Sequence, residues 1–215
     1  MNFNNKNVYF EIVNENGNAS GDKYDTSFVD FSEDDVELES YYYIKNIRMN
    51  IIWEDYDEED CVYVGDKKEI GHISGIYFDI RNAITAGMNL MDTLDEISAD
   101  TFIIYEALLC GMDEDEIYEE YVMGEQNIFH LTHLSIDEKF RNKGIGSYTV
   151  KHLRQIIYYL YSLNIGTILL HASPLTERGE FEENSEKVIE GRKRLRSFYR
   201  NLGYNDTDIE LYMYQ

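Results

Sequence analysis

The chain has 215 residues, 43% of them apolar, 14% aromatic and 28% charged, a composition that excludes a disordered or low-complexity segment. Its 42 Asp and Glu against 19 Lys and Arg give a net charge of −23, which disfavours direct contact with nucleic acid or an anionic membrane. No run approaches the ~18 apolar residues of a membrane span, and the start, MNFNNKNVYF, lacks the order of a secretory signal. Cys61 and Cys110 make neither a disulfide framework nor a zinc pattern and read as buried or indifferent thiols, so the expected compartment is the reducing cytoplasm.

Val8–Val13 reads as a short strand, Asn14–Asp25 as a Gly/Asn/Asp-rich loop, and Glu33–Glu39 as acidic surface. Tyr41–Trp53 interleaves polar with β-branched and aromatic residues and predicts a long strand. Glu54–Asp60 reads as a charged turn, and Glu69–Ile80 as a second strand paired antiparallel to the first. From about Met88 the period turns helical, through Leu90, Leu94, Ile97, Phe102, Tyr105, Leu108 and Leu109, and Asp113–Tyr121 predicts an exposed acidic helix. Ile128–Ile136 returns to strand alternation. Gly144–Leu163 carries one apolar helical face, Gly166–Ala172 is a buried strand, Glu186–Leu202 is a helix ended by Gly203, and Ile209–Tyr214 closes as a strand. The second half is thus strand–helix–strand–helix–strand, an α/β unit with a parallel crossover.

The charge divides along the same line. Residues 1–140 hold 8 Lys and Arg against 33 Asp and Glu, net −25, whereas residues 141–215 hold 11 against 9, net +2. The less acidic part contains Arg141-Asn142-Lys143-Gly144-Ile145-Gly146-Ser147 at a strand-to-helix junction. A helix start offers unpaired amides and partial positive charge, glycines allow close approach, and Arg141 and Lys143 add charge of the sign a phosphate needs. Spacing alone leaves open a glycine-containing turn with incidental basic residues. Neither Gly-x-x-x-x-Gly-Lys-Ser/Thr nor Gly-x-Gly-x-x-Gly occurs in the required context, which excludes a P-loop and argues against a dinucleotide fold.

Arg141–Gly146 resembles the Arg/Gln-x-x-Gly-x-Gly/Ala signature of the GNAT superfamily of N-acetyltransferases. Leu134-Ser135-Ile136-Asp137 resembles the LAVD end of that family's fourth strand, and Leu195–Tyr204 (LRSFYRNLGY) its L-x-x-FYxxLGF signature. The three stand in the family's order and cover residues 127–215. The resemblance implies a mixed, mostly antiparallel sheet flanked by helices, in which the parallel strands 128–136 and 166–172 splay to admit the pantetheine arm of acetyl-CoA. On it, residues 1–215 form one α/β domain: variable N-terminal strands over 1–86, a helical acidic insertion over 87–125 and the cofactor-binding core over 127–215. The backbone of Leu134, Ser135 and Ile136 would pair with the arm, with the Ile136 amide polarising the thioester carbonyl. The amides of Lys143, Gly144, Ile145, Gly146 and Ser147, beside Arg141 and Asn142, would hold the pyrophosphate.

Tyr199 occupies the family's general-acid position, though one of 19 tyrosines could equally be a packing residue. For the base, His130 is the first choice, on one strand face with Thr132, Leu134 and Ile136; His133 faces the other way, His171 is second, and His72 lies too far upstream to judge. A water relay to an acidic residue is the remaining route. No metal site is implied, since the histidines are scattered and the acidic clusters lack an EF-hand pattern. Those clusters, at 54–60 and 113–120, read as solvated surface or as a funnel for a cationic amine such as a polyamine, aminoglycoside or basic peptide. The competing function is an interaction protein using the scaffold's acidic surface to block a basic or nucleic-acid-binding partner. Exposed aromatic and Met residues within 87–125 would suit a homodimer.

Overall fold

The computed structural model describes residues 7–13, 42–57, 59–174 and 186–215. The loop expected at Asn14–Asp25 and the acidic surface at Glu33–Glu39 lie outside them. Seven strands form one sheet in the order β1-β2-β3-β4-β5-β7-β6: β1 Val8–Ile12, β2 Ile44–Asp57, β3 Val62–Phe78, β4 Ile128–Ile136, β5 Thr167–His171, β6 Asn205–Asp206 and β7 Tyr212–Tyr214. The β1/β2, β5/β7 and β6/β7 ladders are antiparallel and β4/β5 is parallel. Neighbouring β2 and β3 are joined by four residues, too few for a parallel crossover, and so also run antiparallel.

The first two long strands exceed their predicted bounds. Glu54–Asp57 belong to β2 instead of a turn, and β3 begins at Val62 instead of Glu69. Cross-strand pairs account for strand structure in so acidic a stretch. The Tyr9 hydroxyl donates to Glu54 (2.8 Å), Lys67 pairs with Glu11 (2.8 Å), and the Tyr63 ring packs edge-on against Tyr9 and Tyr56.

The chain divides into two compact units. One is built from Asn46–Gly75, His133–Asn164 and β1. In it Ile47, Met49, Ile51, Ile70, Ile73, Ile145, Val150, Leu153 and Ile157 are buried. Its helices are α5 Ile145–Lys151 and α6 Leu153–Tyr161, with a break at His152 inside the single helix predicted from Gly144 to Leu163. The Tyr161 hydroxyl, whose pKa burial pushes up to about 12, donates to the Arg48 carbonyl (2.6 Å) and ties α6 to β2.

The other unit holds Ile76–Thr132 and Ile165–Gln215. Helical structure starts at Ile80, earlier than the period change suggests, and comes in short pieces: α1 Ile80–Thr85, α2 Leu90–Asp95, α3 Ala99–Ile104 running into a π-turn Tyr105–Leu109, and α4 Glu114–Ile117 running into a π-turn Tyr118–Met123. Asp79, Asn89, Ser98 and Asp113 each accept a first-turn amide, the Ser98 and Asp113 caps being reciprocal boxes with Thr101 and Glu116. These pieces bury Leu94, Ile104, Leu109 and Tyr121 against Phe78, Ile128 and Leu169, each such side chain contributing about 1.5–3 kcal/mol. Buried Asn127 joins the start of β4 to its surroundings: its side chain donates to the Tyr77 hydroxyl (2.7 Å), and its carbonyl accepts from Gly166 and Thr167. The last helix, α7 Glu186–Asn201, ends at Gly203 with φ +93°, the left-handed stop expected from sequence. The predicted closing strand Ile209–Tyr214 shortens to β7, and β6 had no sequence signal.

Candidate functional site

The β4/β5 ladder has four pairs, Ile128↔Thr167 to Leu131↔Leu170, while β4 continues five residues further to Ile136. Residues Leu134, Ser135 and Ile136 therefore lie beyond the paired part of that edge. The Asp137 amide then donates to the Ile70 carbonyl (2.7 Å), and a 3-10 turn, Glu138–Phe140, leads into Arg141. Asn142 (φ +58°) and Gly144 (φ +85°) are left-handed, and α5 starts at Ile145 without a side-chain cap. Its first intrahelical bond is from Tyr148 N to Gly144 O (2.9 Å), so the amides of Ile145, Gly146 and Ser147 precede it. A Cβ on Gly146 would come within 3.5 Å of Ile136 Cδ1. An uncapped helix start with alternating left-handed residues is the donor arrangement an anion fits.

The cations around this turn are tethered. Arg141 Nε donates to the Ile136 carbonyl (2.7 Å), strapping the turn to the end of β4, and its guanidinium lies 3.9 Å from Glu138. The Lys143 ammonium sits 4.8 Å from the centroid of the Phe140 ring, and Lys68 lies 5.0 Å from the same centroid. Phe140 in turn packs on Trp53 at 5.5 Å. Lys68 was missed by sequence reasoning, because it reaches the turn from β3.

Tyr199, on α7, is 7% exposed, and burial pushes its hydroxyl up to about 12. Its ring packs on Phe198 (5.1 Å) and Tyr204 (5.6 Å), and its carbonyl accepts from Tyr204 N (3.1 Å). Asp206 accepts both Arg196 and Arg200, which hold its carboxyl below the usual range and pin the end of α7 to β6.

His130 is 3% exposed, its Nδ1 lies 3.1 Å from the Asp100 carbonyl, and burial holds its pKa near 4. It is neutral at pH 7 but a weak base, and its surroundings suit a positioning group better than a proton acceptor. His171 lies 4.8 Å from the Tyr212 ring, which also neighbours His130 at 6.0 Å; burial, then Arg192, lowers its pKa.

The imidazoles that gather at the surface are two others. His72 on β3 and His133 on β4 stack with centroids 4.5 Å apart and planes 7° from parallel, and Ser135 Oγ lies 2.9 Å from His72 Nδ1. Burial, then the charge of His72, lowers the His133 pKa. Two imidazolium charges at this separation would repel by roughly 1–4 kcal/mol depending on screening. The stack borders a cavity of about 330 Å³ with Glu69, Ser74, Arg48 and Asn50 on its walls. Sequence reasoning set His133 aside for facing away from His130, which it does. It could not see that β3 and β4 are neighbours. Among the described residues no cluster of three or more His, Cys, Asp or Glu could hold a metal, and both cysteines are exposed.

No protein-family model and no curated protein matches the chain. Solved structures resemble it loosely. A KacTA–DNA complex is 10% identical, with 97% of this chain and 92% of that chain covered and a TM-score of 0.44. AtaTR bound with AcCoA is 11% identical, with 98% and 93% covered and a TM-score of 0.41. AtaT complexed with acetyl-methionyl-tRNAfMet is 12% identical, with 97% and 94% covered and a TM-score of 0.40. A likeness of this degree carries nothing about activity or ligand.

Proposed function

We propose that the chain is an acetyl-CoA-dependent N-acetyltransferase of the GNAT type whose acceptor is a cationic amine. One observation carries the reading. The parallel β4/β5 ladder stops after four pairs, β4 continues beyond it to Ile136, and after eight intervening residues an uncapped, glycine-bearing helix starts. The part of β4 that lies beyond its ladder with β5, Leu134–Ile136, suits an extended amide-containing arm, and the amides of Lys143–Ser147 suit its pyrophosphate, with Lys143 and Lys68 supplying charge. Acetyl-CoA would supply the activated acetyl group. Tyr199 keeps its proton at neutral pH and so is in the state a general acid requires. The net charge of −23 favours a cationic acceptor.

Calorimetric titration with acetyl-CoA is the test. Micromolar binding is expected, weakened by about 1–3 kcal/mol in Arg141→Glu, on the scale of a lost charged hydrogen bond. Because Arg141 also straps the turn to Ile136, Lys143→Glu serves as a second variant and should weaken binding without that strap being cut. Unchanged affinity in both would mean the cradle is misplaced. A panel of polyamines, aminoglycosides, basic peptides and an aminoacyl-tRNA would then define the acceptor. Failure of the wild type to bind acetyl-CoA would favour an acidic protein that blocks a basic partner.

A further inference from the structure

Of the groups around the cavity beside the stacked imidazoles, only Ser135, through its backbone, is assigned above to acetyl-CoA, and none to proton donation. Its groups come from three neighbouring strands: Arg48 and Asn50 from β2, Glu69, His72 and Ser74 from β3, and His133 from β4, with Ser135 behind His72. At about 330 Å³ it falls at the small end of ligand sites. Asn50 Nδ2 donates to Glu69 Oε2 (3.0 Å), which fixes one carboxylate oxygen and leaves the other to a ligand. His72 is exposed, and its stack on His133 together with the Ser135 contact fixes the orientation of its ring.

We propose that this cavity takes a small aliphatic polyamine, with Glu69 holding one ammonium and His72 Nε2 accepting a proton from another. When Nδ1–H of His72 donates to Ser135 Oγ, the Nε2 lone pair is the one left free. Ser135 and His133 are positioning residues. The transfer step rests on the acetyltransferase reading; binding of the amine does not. In that step the ammonium gives one proton to His72, its nitrogen bonds to the acetyl carbon as the carbon–sulfur bond breaks, and one proton stays on the amide. The third goes to the departing sulfur, and His72 returns its own proton to solvent.

The test is histidine side-chain NMR of the full chain titrated with spermidine, without acetyl-CoA, from about pH 5 to 8, beside steady-state acetylation of spermidine. Saturable shifts are expected at His72 and His133 and not at His130 or His152, with Glu69→Gln weakening the midpoint roughly 10-fold, as for a lost charge-assisted hydrogen bond. His72→Asn should lower kcat/KM roughly 10-fold or more and abolish the acid limb of its pH profile, with acetyl-CoA affinity unchanged. Ser135→Ala should displace that limb with little change in KM. Spermidine leaving both imidazoles unmoved, or full activity with an intact acid limb in His72→Asn, overturns the inference and leaves the acetyltransferase reading standing. Saturable shifts at both imidazoles with no acetyl-CoA binding would uphold the amine site and overturn that reading instead.

Discussion

Tyr199 and His130 are both buried aromatic groups with shifted pKa values, and burial has opposite consequences for them. For a tyrosine it penalises the phenolate, so Tyr199 holds its proton up to about 12 and is protonated at neutral pH, as the donor to a departing thiolate must be. Replacing it with Phe keeps its packing on Phe198 and Tyr204 and should lower kcat roughly 10-fold or more with a small effect on stability. An unchanged kcat would remove Tyr199 from the chemistry. For His130 burial penalises the imidazolium, so its folded pKa of about 4 lies below the ordinary 6.5 of the unfolded chain. The folded state then binds fewer protons than the unfolded one between those values. The stability due to neutral His130 is complete above about pH 6.5 and is lost as pH falls toward 4. Between pH 7 and 5 that loss is about 2 kcal/mol at 1.36 kcal/mol per pH unit. His130→Asn, which can still donate to the Asp100 carbonyl, should be less stable at pH 7 because it is smaller. Denaturant unfolding at the two pH values should show about 2 kcal/mol less acid sensitivity in the variant. Equal sensitivity would mean that His130 titrates normally.

Elements in this chain were legible where one face is buried and opaque where neither is. Ile128–Ile136 was found to the residue because alternation and a Gly/Asn boundary coincide there, and Gly203 marked the end of α7 because only a left-handed residue continues the chain after it. The near half of β3, Val62–Glu69, is exposed throughout and offers no alternation to read; tyrosine packing and ion pairs that only the paired sheet reveals hold it in place. The same limit hid the His72–His133 stack, 61 positions apart in sequence and made neighbours by the β3/β4 pairing. Gly71 shows how closely those strands meet: a Cβ there would lie 2.1 Å from the Ser135 carbonyl oxygen. That oxygen is backbone, so β4 itself must shift. Gly71→Ala should destabilise the fold by about 1–3 kcal/mol, the scale of an overpacking strain, and loosen Ser135 from His72. The denaturation midpoint and the His72 ring resonances report the two effects separately, and wild-type values for both would show that the strands part without strain.

On the scale of the whole molecule, a net charge of −23 acts on every ligand before any local group does. Acetyl-CoA is a polyanion and is repelled at long range, yet the turn at 141–147 with Lys68 beside it is locally positive. The two influences separate with ionic strength because the Debye length falls from about 30 Å at 0.01 M to about 8 Å at 0.15 M. Added salt removes the distant repulsion first and weakens the contacts at the cradle less. A cationic acceptor feels the reverse, drawn by the distant field and losing that attraction as salt rises. Stopped-flow association should therefore show acetyl-CoA binding faster, and spermidine binding more slowly, as NaCl increases from about 10 to 150 mM, by several-fold in each direction. Parallel slopes for the two ligands would mean that the net charge is too far from both sites to steer either. Opposed slopes would give the acidity of residues 1–140 a kinetic role: it slows cofactor entry and raises the local concentration of the amine.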